Sequence, residues 1–186
     1  RDLYEKAKRE QWNSTEQLAW ETPMDPLSEL IRNEINPFQD YPPFQRLGQA
    51  EREKFRHALL SWQLSQFMHG EQGAMITASQ LVGAVPWMDA KYYASTQTMD
   101  EARHVEVFHR YLNEKVEGEW PINESLKELL DATIKDSRWD FKDPGMQIII
   151  EGLAMAAFGQ LYQMTQETRA KERNEHAMRE EKRHGV

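Results

Sequence analysis

Two glutamates occupy stretches where a carboxylate is costly. Glu71 is the only acidic residue between His57 and Met88, and Glu151 is the only charged residue between Met146 and Met164. The neighbours of Glu151 are Ile148 to Ile150 and the small Ala154, Ala156 and Ala157. Burying an unpaired carboxylate costs several kcal/mol, which is comparable to the whole stability of a domain. Neither stretch supplies a lysine or arginine to compensate, so a metal cation is the expected partner. Matching donors follow in the chain. Glu101 and His104 form one Glu-x-x-His pair, and Glu181 and His184 form another. On a helix, positions i and i+3 are about 60° apart, so both side chains of a pair reach one point. A third pair, Glu106 and His109, is expected to be a decoy. It points about 140° away from Glu101, in the polar company of Arg103, Arg110 and Asn113. Glu71 precedes Glu101 by 30 residues, and Glu151 precedes Glu181 by 30. Each half therefore reads as helix, loop and antiparallel helix, with the lone glutamate and the pair meeting at one depth. Four carboxylates and two imidazoles make a hard oxygen and nitrogen donor set suited to two iron or manganese ions.

Such a centre needs long helices to position it, and the sequence predicts them. One helix is expected over about Gln49–Val85, stopped at Pro86, with Leu60, Leu64, Phe67, Met68, Met75, Ala78 and Val82 as its apolar stripe. A second is expected over about Met88–Val116, with Ala94, Gln97, Glu101, His104, Phe108 and Leu112 on one face. Leu126–Lys135 reads as a short connecting helix. A third long helix is expected to start near Pro144 and run through Glu167, since proline suits a first helical turn. Arg169–His184 reads as a fourth, highly charged and with a sparse apolar stripe. No run alternates with period two, so the fold is expected to be an all-α four-helix bundle with a crossover after the second long helix.

Residues 1–48 read as an N-terminal helical arm, and 49–186 as the bundle, expected to be truncated at its C-terminal end. Helices are expected at about 2–12 and 27–35 in the arm, without a core of their own. Five of the eight prolines lie there, and Pro42–Pro43 is expected to end any helix before it.

From about residue 50 onward the chain resembles the ferritin-like di-iron carboxylate superfamily, and its oxidase and oxygenase members more than its storage ferritins. The resemblance rests on Glu71, on Asp100-Glu101-Ala102-Arg103-His104, on Glu151, and on Glu180-Glu181-Lys182-Arg183-His184. It implies a ferritin-like four-helix bundle in which Glu71, Glu101, His104, Glu151, Glu181 and His184 hold two metal ions. By the same resemblance Asp100 and Glu180 hold the opposite histidines, and Arg103 and Arg183 brace the cluster. A metal-bound histidine needs its second N–H satisfied in any case. Several positions depart from named branches. Ribonucleotide reductase small subunits usually carry a tyrosine where this chain has Phe108. Multicomponent monooxygenases usually carry a threonine at Met155, and acyl-carrier desaturases one at Ala154. The extra histidine of three-histidine N-oxygenases falls on Ala177, with His176 one residue off. None of these departures touches the six ligands, so they bear on the reaction and leave the metal site standing.

Composition sets the remaining bounds. The 186 residues carry 23 Lys+Arg against 31 Asp+Glu, a formal charge of −8, which argues against a nucleic-acid partner. The absence of cysteine removes disulfides, iron–sulfur clusters, Cys-ligated zinc and thiol catalysis. No apolar run approaches the roughly 18–20 residues of a membrane span, and a cytoplasmic setting is expected. Phe67, Met75, Phe108, Ala154 and Phe158 are expected to wall a pocket for a hydrophobic substrate; close helix packing accounts for them equally well. The remaining histidines, His57, His69 and His109, are expected on the surface or behind the ligands. The expected activity is that of a di-iron oxidase or oxygenase (Fe/Mn or Mn being allowed by the same donors) that uses O2 on a small organic molecule. A desaturase or N-oxygenase, or a ferritin-like metal-storage protein, are the alternatives. The expected partners are O2, the substrate and an external electron donor such as a reductase or ferredoxin, with no membrane; a homodimer is allowed.

Overall fold

The computed structural model describes residues 1–18, 20–21, 36–116 and 118–146. Seven helices are present among them: α1 (Asp2–Arg9), α2 (Ser14–Gln17), α3 (Pro42–Gln45), α4 (Gln49–Ala84), α5 (Met88–Lys115), α6 (Glu124–Lys135) and α7 (Trp139–Pro144). No strand occurs among the described residues. The helices expected at 27–35, beyond Met146 and at Arg169–His184 lie outside them.

Helix boundaries follow local chemistry. At the start of α4 the Glu51 carboxylate accepts the free N–H of Gly48 at 2.8 Å, satisfying one donor that the first turn leaves open. Its end is set by Pro86, which forces Val85 into an extended conformation. Asn123 opens α6 by accepting the Leu126 N–H at 2.9 Å. Pro42–Pro43 opens α3 behind the extended Tyr41, because the first turn has no use for the missing N–H donors; the helix expected before it lies outside the described residues. One expectation about proline needs correction. Pro144 is the last residue of α7, which begins five residues upstream at Trp139. This helix is anchored on its neighbours: Lys142 Nζ donates to the carbonyls of Thr133 (3.1 Å) and Ile134 (2.6 Å) at the end of α6, and to Gln80.

Helices α4 and α5 form an antiparallel hairpin turned through Val85, Pro86 and Trp87. At that turn Lys91 Nζ donates to the Val82 carbonyl at 2.8 Å. At the far end the Ser61 hydroxyl donates to the Gly118 carbonyl at 2.5 Å. The α5 face predicted from the sequence is buried at every position named above, from Ala94 to Leu112. On α4 the predicted stripe is too narrow. Ser61, Ser65, Gly73, Ala74 and Thr77 are buried as well, because Gly118 and Trp120 bond the two serines and α6 and α7 pack on α4 beside α5.

Apolar residues collect in two clusters along the hairpin. One contains Leu60, Leu64, Met68, Val107, Phe108, Tyr111 and Leu112. The other contains Ala74, Ala78, Leu81, Val85, Ala94, Leu130 and Met146. Trp20 from the N-terminal segment belongs to the first cluster, so this segment takes part in a core that the sequence did not assign to it.

Residues 1–18 and Trp20 run as a strap along α5 and parallel to it. Arg1 meets Asp89 at 3.5 Å, and the Tyr4 ring stacks on Tyr92 with centroids 5.2 Å apart. The Ser14 hydroxyl donates to Glu106 at 2.7 Å. Further along, the Arg110 guanidinium lies 4.2 Å from the centre of the Trp20 ring, and Lys115 donates to the Trp20 carbonyl at 2.6 Å. No helix among the described residues is long and apolar enough to cross a membrane.

Candidate metal centre

Between the two apolar clusters lies a polar layer that α4 and α5 build from three side chains. Glu71 stands between Met68 and Ala74 on α4, while Glu101 and His104 stand between Ala94 and Val107 on α5. All three are buried, Glu101 completely. His104 Nδ1 is 3.3 Å from Glu71 Oε2 and 3.2 Å from Glu101 Oε2. One donor atom from each residue fits within a span of 4.8 Å. The i, i+3 spacing thus brings Glu101 and His104 to one point, and the antiparallel hairpin brings Glu71 to the same point from the other helix.

The electrostatics of this layer call for a cation. Burial pushes the Glu71 carboxyl up to about 7, with Glu101 adding to the rise and His104 opposing it. Two carboxylates converge on one ring nitrogen, which can give its single proton to only one of them. Taking both carboxylates out of water is costly, and a cation held between them offsets that cost. Two carboxylate oxygens and an imidazole nitrogen are the donors that iron and manganese accept, so the residues present fit the metal reading.

His184, which the family resemblance pairs with Asp100, lies outside the described residues, but Asp100 itself and the bracing Arg103 are described. Both are buried, and Arg103 Nη1 donates to Asp100 Oδ1 at 3.2 Å. The strap completes this layer in a way the sequence reading missed. Gln11 Nε2 donates to Asp100 Oδ1 at 3.0 Å, and Gln11 Oε1 accepts from Arg103 Nη2. The Trp12 ring lies 5.3 Å from the Arg103 guanidinium carbon. No local motif marks Gln11. The one available signal is the spacing of eight between Tyr4, Trp12 and Trp20, since each of these rings meets a cation or an aromatic ring of α5.

The other expected residues take varied positions. Phe108 is fully buried in the first cluster and Phe67 packs against it, their ring centroids 6.1 Å apart. Met75 is half-buried on α4. Glu106 bonds Ser14, and the exposed His109 pairs with Glu119 at 2.5 Å, so neither joins the three-residue group. His69 Nε2 donates to the Trp120 carbonyl at 2.9 Å. His57 is buried, about 21 Å along α4 from Glu71 at 1.5 Å per residue; it is neither on the surface nor beside the ligands. Glu151, Glu181 and His184, with Glu180, Arg183, Ala154 and Phe158, lie outside the described residues.

No protein-family profile matches the chain, and no curated protein matches it. Among solved structures, a mutant of an R2-like ligand-binding oxidase with an aerobically reconstituted Mn/Fe cofactor has the same fold. The TM-score is 0.66 at 21% sequence identity, over 99% of this chain and 68% of that one. The chain therefore has the ferritin-like all-helical bundle fold that the family resemblance implied.

Proposed function

We propose that this chain is a dimetal carboxylate oxidoreductase, an oxidase or oxygenase that uses O2 to oxidise a small, hydrophobic organic molecule. The observation that carries the proposal is the buried convergence of Glu71, Glu101 and His104. The Mn/Fe cofactor of the similar oxidase supports it. Glu71, Glu101 and His104 would hold one side of the centre, and Glu151, Glu181 and His184 the other. Two adjacent redox-active ions, whether Fe/Fe, Mn/Fe or Mn/Mn, would supply the electrons that O2 reduction needs.

The protein's own contributions follow from its side chains. Glu71 holds a proton near neutral pH, and metal entry releases it. The Asp100–Arg103 pair spans the turn of α5 that carries Glu101 and leads directly into His104. Phe67 and Phe108 keep water away on the side of the first cluster. An external electron donor and a cytoplasmic setting complete this reading.

The test is metal content per chain after anaerobic ferrous loading and desalting. About two irons are expected, with sharp losses in Glu71→Ala and Glu151→Ala. Metal near zero in the unaltered chain would overturn the proposal. Catalytic consumption of O2 and reductant then separates an enzyme from a storage protein, which would instead accumulate mineral.

A further inference from the structure

The strap along α5 has a polar residue where a simple packing element would have an apolar one. Gln11 uses its whole amide. Nε2 donates to Asp100 Oδ1 at 3.0 Å and to the Ala7 carbonyl at 3.1 Å, and Oε1 accepts from Arg103 Nη2. Asp100 immediately precedes Glu101, and Arg103 immediately precedes His104. Their acidic and basic groups present opposite needs, an acceptor that wants a hydrogen and a donor that wants an oxygen. A neutral amide meets both at once, its nitrogen donating and its oxygen accepting. Glutamate in its place would still accept from Arg103 but would oppose Asp100, and alanine would leave both contacts unmade.

We propose that Gln11 is a positioning residue of the metal centre, acting through the Asp100–Arg103 pair to hold Glu101 and His104 in ligating geometry; this inference rests on the dimetal reading. The rest of the strap grips α5 through residues remote from the ligands, such as Ser14 on Glu106 and Tyr4 on Tyr92. Those contacts hold the strap in place, whereas the Gln11 contact also sets the helix turn that carries the ligands. Outer groups that orient metal ligands typically change affinity 10–100-fold when removed.

The experiment is a Mn(II) titration of the whole chain, read by metal binding and by the electron paramagnetic resonance line shape of the bound ion. It compares the unaltered chain with Gln11→Ala, Gln11→Glu and Ser14→Ala. Both Gln11 variants are expected to bind Mn(II) about tenfold more weakly and to show an altered line shape. Ser14→Ala is expected to keep both affinity and line shape while its melting temperature falls. Gln11→Glu keeps the side-chain size, so its loss cannot come from a packing defect alone. Unchanged affinity and line shape in the two Gln11 variants would overturn the inference and leave the dimetal reading intact. Equal weakening in Ser14→Ala would also overturn it, since the strap would then act only as a cover. Failure of the unaltered chain to bind Mn(II) would bring down the dimetal reading and this inference together.

Discussion

At the scale of single residues, the buried Glu71 links metal binding to pH. Its folded carboxyl titrates at about 7 against an ordinary value of 4.5, so the native state holds a proton that the unfolded chain has released. Between those values, stability falls as pH rises. For the metal-free protein, denaturation in urea with a chelator present is expected to show a loss on the order of 3 kcal/mol from pH 4.5 to above 7. Glu71→Gln removes the titrating group and is expected to flatten that profile and raise the metal-free melting temperature at pH 8. The same variant is expected to lose most of its metal. A side chain that destabilises the empty fold but is required by the metal has a functional origin, and the two measurements together display it. A profile in the unaltered chain that rises with pH would contradict the assignment.

At the scale of elements, the seating of α6 against α4 depends on one missing side chain. A Cβ added at Gly73 would lie 2.5 Å from Leu130 Cδ2 and 3.1 Å from its Cγ. Leu130 is buried in the second cluster, so its side chain has little room to retreat. Gly73→Ala would gain up to about 1 kcal/mol of helix propensity, but overpacking of this kind costs about 1–3 kcal/mol. A net loss in the urea midpoint is expected, with Leu130→Ala partly relieving it in the double mutant. Additive effects would mean that the helices do not touch there. The junction of α6 and α7 rests on the buried Lys142, whose ammonium closes the last carbonyls of α6. Burial lowers its pKa, yet those carbonyl partners still require the donor. Lys142→Met is expected to cost about 1–3 kcal/mol by leaving the carbonyls unpaired, measured by chemical denaturation.

At the scale of the whole molecule, metal and fold are coupled by mass action. A ligand that binds only the native state stabilises it by about 2.7 kcal/mol at a hundredfold excess over its dissociation constant. Added Mn(II) or Fe(II) is therefore expected to raise the melting temperature of the unaltered chain progressively and leave Glu71→Gln nearly unmoved. The strap belongs to the same cooperative unit, since Trp20 is buried in one apolar cluster with Leu60, Leu64 and Leu112. Trp20→Ala is expected to cost about 3–5 kcal/mol, and the loss should appear in the global unfolding transition. Separate melting of the strap, with the helix hairpin unaffected, would show it to be an appendage.

What the sequence determined by itself was whatever local chemistry and periodicity control. Helical spacing set the buried face of α5, Pro86 set the end of α4, and the 30-residue interval put Glu71 level with Glu101 and His104. The absence of cations near Glu71 was enough to say that its charge needed a partner. Tertiary structure alone decided the contacts between residues far apart in the chain. Gln11 meets Asp100 across 89 positions and Lys142 meets Gln80 across 62, and no periodicity encodes such a pairing. The buried width of α4 was likewise hidden, because small and polar residues such as Gly73, Ser65 and Thr77 become core only when α5, α6, α7 and the segment at Trp120 close over them. A helix's own pattern reports the face it hides from water, but which neighbour covers that face is settled only when the elements pack.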